Sequence, residues 1–184
     1  MSAPRRFIVI FTIALLLTWI TLAIVAFGQL PDRIPMHFGP SGEADSYADK
    51  SVLSWFGLPL VGVITTLMLL GLAHATHRHP TIFNMPAKEQ LLDLPTEAQQ
   101  PFLEEVAIFM SLMATSVVLL FAAIQYDSWR VALGQQQGLS AVTLGAMALS
   151  VGGVLFAMPL WMVKFKRGIN DAHTRLNAGT RRSS

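Results

Sequence analysis

The chain has 184 residues, one domain's length, with 53% hydrophobic and only 13% charged residues, about half the charged share of soluble domains. The formal net charge is +2 and there is no cysteine, which excludes disulfides, thiolate metal sites and cysteine nucleophiles. No basic face interleaved with polar or aromatic readers is present, so nucleic acid is set aside as a partner.

In chain order, Met1 to Arg6 is short and basic, and an apolar run over residues 7–27 follows. A bilayer core of ~30 Å takes about 20 helical residues, so this run can span it. A signal peptide also begins basic and then apolar, but its apolar part is usually ~7–15 residues and ends at a small-x-small site. This run is longer and ends Phe27-Gly28-Gln29-Leu30-Pro31, which favours a retained anchor.

A second span is expected over 52–73, with Asp49 or Ser51 as N-cap and Pro59 kinking it. A polar segment over 74–100 follows. Pro101 suits the first turn of a third helix, with Glu104 and Glu105 near its positive end and the span over 106–126. A polar loop turning at Gln135-Gln136-Gln137-Gly138 leads to a fourth span over 139–163, bent by Pro159. The basic tail from Lys164 ends in an expected disordered stretch over 177–184. Residues 1–176 thus read as a single four-helix domain.

Lysine and arginine fix the expected orientation. With both termini cytoplasmic, ten of the thirteen lie inside. The spans hold no acidic, basic or histidine residue in their interiors, which argues against an ion path or transporter. Trp55, Trp129, Trp161 and Tyr126 fall near span ends as interfacial anchors, while Trp19 sits well inside its helix. On the fourth span, Ala141, Gly145, Ala148 and Gly152 (with Gly153) repeat at three or four residues, a smooth stripe that lets another helix approach closely. The stripe can pack within the four-helix unit or dock a partner subunit.

Between the first two spans lies the most distinctive stretch, an expected outer cap over 30–50. Pro31 and Pro35 hold the chain extended. Ile34, Met36 and Phe38 alternate with Pro35 and His37, the period of one short strand. Gly39-Pro40-Ser41-Gly42 is a turn signal, and the acidic residues Glu43, Asp45 and Asp49 lead towards the second helix. Ile34 and Phe38 are expected to pack on the helix ends.

The pattern Leu30-Pro31, Ile34-Pro35, His37-Phe38, Gly42, Asp45 and Lys50 resembles the signature of a widespread bacterial membrane domain of unknown function. That domain forms the N-terminal part of SdpI-like immunity proteins. The resemblance continues through Phe83-Asn84-Met85-Pro86 and covers roughly the first three quarters of the chain. It implies a bacterial inner-membrane location and binding of a peptide or envelope ligand at the outer loop. In the founding type of the family, the role is protection from a secreted toxic peptide, with a part in signalling.

Two polar constellations stand beside it. His37 with Glu43, Asp45 and Asp49 offers metal-type ligands, but in no standard spacing; a structural reading has His37 bonding the loop and Asp45 or Asp49 capping the turn or pairing with Lys50. His74 and His77 lie one helical turn apart, with His79 nearby, near a helix C-terminus that favours their charge. Neither group carries a cofactor assignment, and no serine or lysine pairs with a base at one depth, so no enzyme is expected. The reading is an all-α integral membrane protein with four transmembrane helices and a short ordered cap. Its partners are the bilayer and either an extracytoplasmic peptide or, as an accessory subunit, a larger membrane complex.

Overall fold

A computed structural model describes residues 1–180. Helix α1 (Ala3–Phe27) leads into a β-hairpin of β1 (Arg33–Phe38) and β2 (Ala44–Asp49), then α2 (Val52–Ala75). A short 3-10 turn (Pro80–Ile82) and α3 (Lys88–Leu92) precede α4 (Thr96–Ala132). The chain closes with α5 (Ala141–Gly152), a π-helical segment (Gly153–Ala157) and α6 (Met158–Thr180). Among the described residues, three helices, α1, α2 and α4, are long and apolar enough to cross a membrane, and α5 is a shorter apolar helix.

The first two spans fall where their hydropathy places them. Ser51 caps α2 reciprocally with Ser54: the Ser51 hydroxyl accepts the Ser54 N–H at 3.0 Å, and Ser54 Oγ accepts the Ser51 N–H at 2.8 Å. This satisfies donors that a helix start otherwise leaves unpaired. Pro59 is buried inside α2.

The third helix departs from expectation. It starts at Thr96, so Pro101 lies inside it rather than in its first turn. Pro95 is the breaker, and Ala98, Phe102 and Leu103 then pack as one helical face on Leu94 and Leu91. Its 37 residues correspond to about 55 Å, against the ~30 Å of a bilayer core. The apolar stretch 106–126 is therefore flanked by ends that project beyond it.

The run over 139–163, expected as a fourth span, is helical from Ala141 onward but not uniformly α. Pro159 has no N–H to give to the carbonyl four residues back, and the chain takes a π segment over Gly153–Ala157 just before it. Beyond it, the basic tail is an amphipathic helix that buries Phe165 and Ile169 while Lys164, Lys166 and Arg167 stay exposed. Helix continues to Thr180, and the rest of the expected disordered tail, residues 181–184, lies outside the described residues.

Three apolar clusters hold the molecule. At the end carrying the N-terminus, Met85, Leu91, Leu94, Leu103, Val106, Phe165 and Ile169 form a core, so the segment read as a polar loop is an ordered plug. In the middle, Leu16, Trp19 and Val118 join α1 to α4, and Gly62 of α2 lets the Trp19 ring approach so closely that a Cβ there would stand 2.6 Å from it. At the hairpin end, Leu30, Ile34 and Trp55 are buried together. Helix α4 is the common partner of α1, α2 and α5. A buried hydroxyl pair, Thr12 with Thr115 at 2.7 Å, bonds α1 to α4 within the apolar layer.

Candidate functional site

The cap is an antiparallel hairpin, not the single strand that alternation suggested. Residues 44–49 (Ala-Asp-Ser-Tyr-Ala-Asp) carry little strand propensity, yet they pair with β1 in the register Arg33–Asp49, Ile34–Ala48, Pro35–Tyr47, His37–Ser46 and Phe38–Ala44. Met36 is skipped, a bulge beside the donor-less Pro35. The turn closes through the Gly42 N–H on the Gly39 carbonyl at 2.8 Å, and Gly42 holds φ +83°, a conformation that favours glycine.

The turn does not stand alone. Leu139 N–H donates to the Gly42 carbonyl at 2.7 Å, and Ala44 N–H donates to the Gln137 carbonyl at 3.3 Å. Glu43 and Gly138 form the bridge between them, and a Cβ on Gly138 would stand 2.2 Å from the Gly42 oxygen. The loop between α4 and α5 is thus a backbone partner of the hairpin tip. Asp127, 1% exposed, fixes that loop by accepting the Ser140 N–H at 2.7 Å.

At the hairpin's base, Ile34 (1% exposed) and the buried Pro35 face the bundle. Phe38 is half-buried. Lys50 pairs with neither Asp45 nor Asp49. Its ammonium donates to the Leu30 carbonyl at 2.9 Å and lies over the Phe27 ring at 5.0 Å, closing the strand-to-helix connection. His37 Nδ1 and Asp45 Oδ1 are 2.6 Å apart, both side chains exposed. With the imidazole neutral, Nδ1–H donates to the carboxylate and leaves Nε2 as an acceptor.

Between hairpin and bundle lies a groove of about 800 Å³. Residues 35–40 form its roof, Leu53, Leu58 and Val61 of α2 one wall, Leu139, Leu144 and Met147 the other, and Gln125 and Ser128 of α4 supply polar groups. Of the sequence-derived candidates, Pro35, His37 and Phe38 line this groove, Asp45 orients His37, and Gly42 carries the tip contact. Pro31 and Lys50 shape the hairpin's ends. Among the described residues, no group of three or more His, Asp or Glu is placed to hold a metal ion; Glu43 and Asp49 do not join the His37–Asp45 pair.

Among the described residues, no other helix packs closely on the small-residue stripe. Ala141, Gly145 and Ala148 are exposed, and a Cβ on Gly145 or Gly152 would meet nothing within 4 Å. Helix α5 turns a different face, centred on buried Thr143, towards α4. The close helix approach occurs instead at Gly62, which no pattern marks.

The opposite end holds a polar cluster that the sequence reading divided among separate roles. Glu104 accepts from the Ser2 N–H at 2.8 Å and from Arg5 at 3.2 Å, and lies 2.7 Å from His77 Nε2. Arg5, 4% exposed, also donates to the Ala73 carbonyl at 2.7 Å. Burial pushes the Glu104 carboxyl up, but the hydrogen bonds from Ser2, His77 and Arg5 outweigh it and hold the group at about 2. Next to it, Glu105 accepts the Trp161 indole N–H at 2.8 Å. His77 also meets Gln100 at 3.0 Å, whereas His74 and His79 are exposed. These contacts tie α1, α2 and α6 to the start of α4 as a structural clasp.

Fold and site together define an apolar helical bundle capped by a hairpin with an open groove beneath it. Residues 13–63 match the family model described as a domain of unknown function (DUF1648). The matched segment comprises most of α1, the whole hairpin and the first half of α2, and so includes the groove's roof and one of its walls. No curated protein and no solved structure matches the chain.

Proposed function

We propose that this is a non-enzymatic, multi-pass protein of the bacterial inner membrane that binds a peptide or envelope ligand in the hairpin groove, in the manner the SdpI-like resemblance implies. The observation that carries the reading is the placement of Pro35, His37 and Phe38, three residues of the distinctive loop, on one roof above the groove's apolar walls. Such a groove accepts an apolar side chain, while the His37 ring, oriented by Asp45, offers a polar contact at the rim. The membrane setting is supported by the apolar exteriors of the helices, where Leu17, Leu22, Leu53, Ile64 and Leu67 are all exposed. The lysine and arginine bias supports an orientation with the hairpin outside and the Glu104 clasp and α6 in the cytoplasm.

The test is challenge of a deletion strain with toxic secreted peptides. Re-expression of the wild type restores protection, and His37→Ala or Asp45→Asn abolishes it while the protein still accumulates in the membrane. Equal sensitivity of deletion and wild-type strains to every peptide removes the immunity reading.

A second reading, an accessory subunit of a larger membrane complex, is favoured by the open Ala141/Gly145/Ala148/Gly152 face of α5. It expects defined subunits to co-purify in mild detergent at fixed stoichiometry, and Gly145→Leu to release them. A protein recovered only with itself refutes it.

A further inference from the structure

At the end carrying the Glu104 clasp, the surface changes abruptly from apolar to basic. On α6, Leu160, Met162 and Val163 are exposed, and Lys164, Lys166 and Arg167, also exposed, follow directly. On α1 the apolar run begins after Arg6, and on α4 it begins after Glu105. The three boundaries share one level. Arg5 bonds Glu104 at 3.2 Å, and the Trp161 indole, stacked on Phe109 at 4.9 Å, donates to Glu105 at 2.8 Å. In a bilayer this level is where hydrocarbon gives way to headgroups, the ordinary station of tryptophan.

Helix α6 spends its apolar stripe on the protein itself, since Trp161, Phe165 and Ile169 pack with the plug and α4. What it leaves outward beyond Val163 is charge. Several cations elsewhere are engaged by the chain: Arg5 with Glu104, Arg33 with the Tyr47 carbonyl, Lys50 with the Leu30 carbonyl and Arg130 over the Tyr126 ring. Among the described residues, Lys164, Lys166 and Arg167 have no hydrogen bond, ion pair or ring contact. The acids at their level are already taken, Glu104 by Arg5 and His77 and Glu105 by Trp161. Asp171 is the one acid of α6, so the surplus stays positive. We propose that Lys164, Lys166 and Arg167 dock the phosphate groups of anionic lipids in the leaflet at this end. With the apolar stripe buried, the contact reads headgroup charge and not the acyl chain. The inference rests on the membrane reading above but not on what the hairpin groove takes.

Native mass spectrometry of the full-length protein, released from nanodiscs of equal phosphatidylglycerol and phosphatidylcholine, tests it by the ratio of the two lipids retained. A cation at a membrane surface favours an anionic lipid by about fivefold, so the wild type should retain phosphatidylglycerol by roughly tenfold or more. The triple variant Lys164→Gln, Lys166→Gln, Arg167→Gln should retain the two lipids nearly equally. Its three sites are exposed, so it should melt in detergent like the wild type. Arg175→Gln removes the same charge about 12 Å farther along the helix, beyond the ~8 Å reach of a screened charge, and should leave the ratio unchanged. Equal retention by the wild type, an undiminished ratio in the triple variant, or as large a loss in Arg175→Gln as in Arg167→Gln overturns the proposal. Should the triple variant melt early, Lys164→Gln and Arg167→Gln singly, each expected to lose about fivefold, decide the matter. Extraction of the protein from membranes by alkaline carbonate refutes the membrane reading itself, a result distinct from retention without lipid preference.

Discussion

Replacing Gly138 by alanine should unlatch the hairpin tip without touching a side chain. The new Cβ would stand 2.2 Å from the Gly42 carbonyl oxygen and 2.8 Å from the Glu43 Cα. Both obstacles are backbone, so no rotamer change relieves them and the two loops must part. The contacts at stake are the Leu139 N–H on Gly42 at 2.7 Å and the Ala44 N–H on Gln137 at 3.3 Å. At about 1 kcal/mol net for each hydrogen bond, the latch loses about 2 kcal/mol, a roughly 30-fold rise in the open population. Amide hydrogen exchange reads this locally: Leu139 and Ala44 should exchange about 30-fold faster in Gly138→Ala, while the buried centre of α4 keeps its protection. Gly145→Ala is the matched control, because its Cβ meets nothing within 4 Å and helix propensity alone favours it by about 1 kcal/mol. If Leu139 exchanges at the wild-type rate in Gly138→Ala, the hairpin and the α4–α5 loop are not joined as described.

Other outcomes follow from the same contacts. Glu104, held at about 2 against an ordinary 4.5, stabilises the fold fully above pH 4.5 and loses that contribution as pH falls through about 2; detergent melting temperatures should drop across this window, and more steeply for wild type than for Glu104→Gln. At neutral pH, Glu104→Ala leaves Arg5 buried without its carboxylate and should cost about 3 kcal/mol in thermal unfolding. Gly62→Leu drives a side chain into the Trp19 and Phe121 rings and should destabilise by about 3 kcal/mol or more, whereas Gly145→Leu melts like wild type. Asp127→Ala strips the acceptor from the Ser140 N–H and should lower stability by about 1–3 kcal/mol, with faster exchange confined to residues near the start of α5.

The long apolar helices were legible because their signal is additive: every residue of 7–27 and 52–73 votes the same way. Pro31, Pro35 and the Gly-Pro-Ser-Gly turn fixed the hairpin's first strand for equally local reasons. The second strand was hidden, since residues 44–49 are held by β1 and by a loop far along the chain rather than by their own propensity. The plug over 74–100 was missed because its buried residues, Met85, Leu91 and Leu94, are sparse in a polar background and find their partners on α4 and α6. The small-residue stripe on α5 suggests close packing that the described residues do not make, while Gly62, which does pack closely, has no periodic companion. Position near a helix start suggests a dipole role for Glu104 and Glu105; their partners are side chains and an N-terminal amide from other helices, contacts that no one-dimensional spacing encodes.

The latch between hairpin tip and α4–α5 loop also sets an order of events. The hairpin's two strands are adjacent in sequence, but Gly42 waits for Leu139, about a hundred residues later. During synthesis the cap can pair early yet stays unlatched until most of the chain has emerged, and such non-local closures come late in folding. The matched segment, residues 13–63, ends well before that closing loop. A chain cut after α2 would present its hairpin tip with open backbone donors and acceptors, a sticky edge in want of a surrogate.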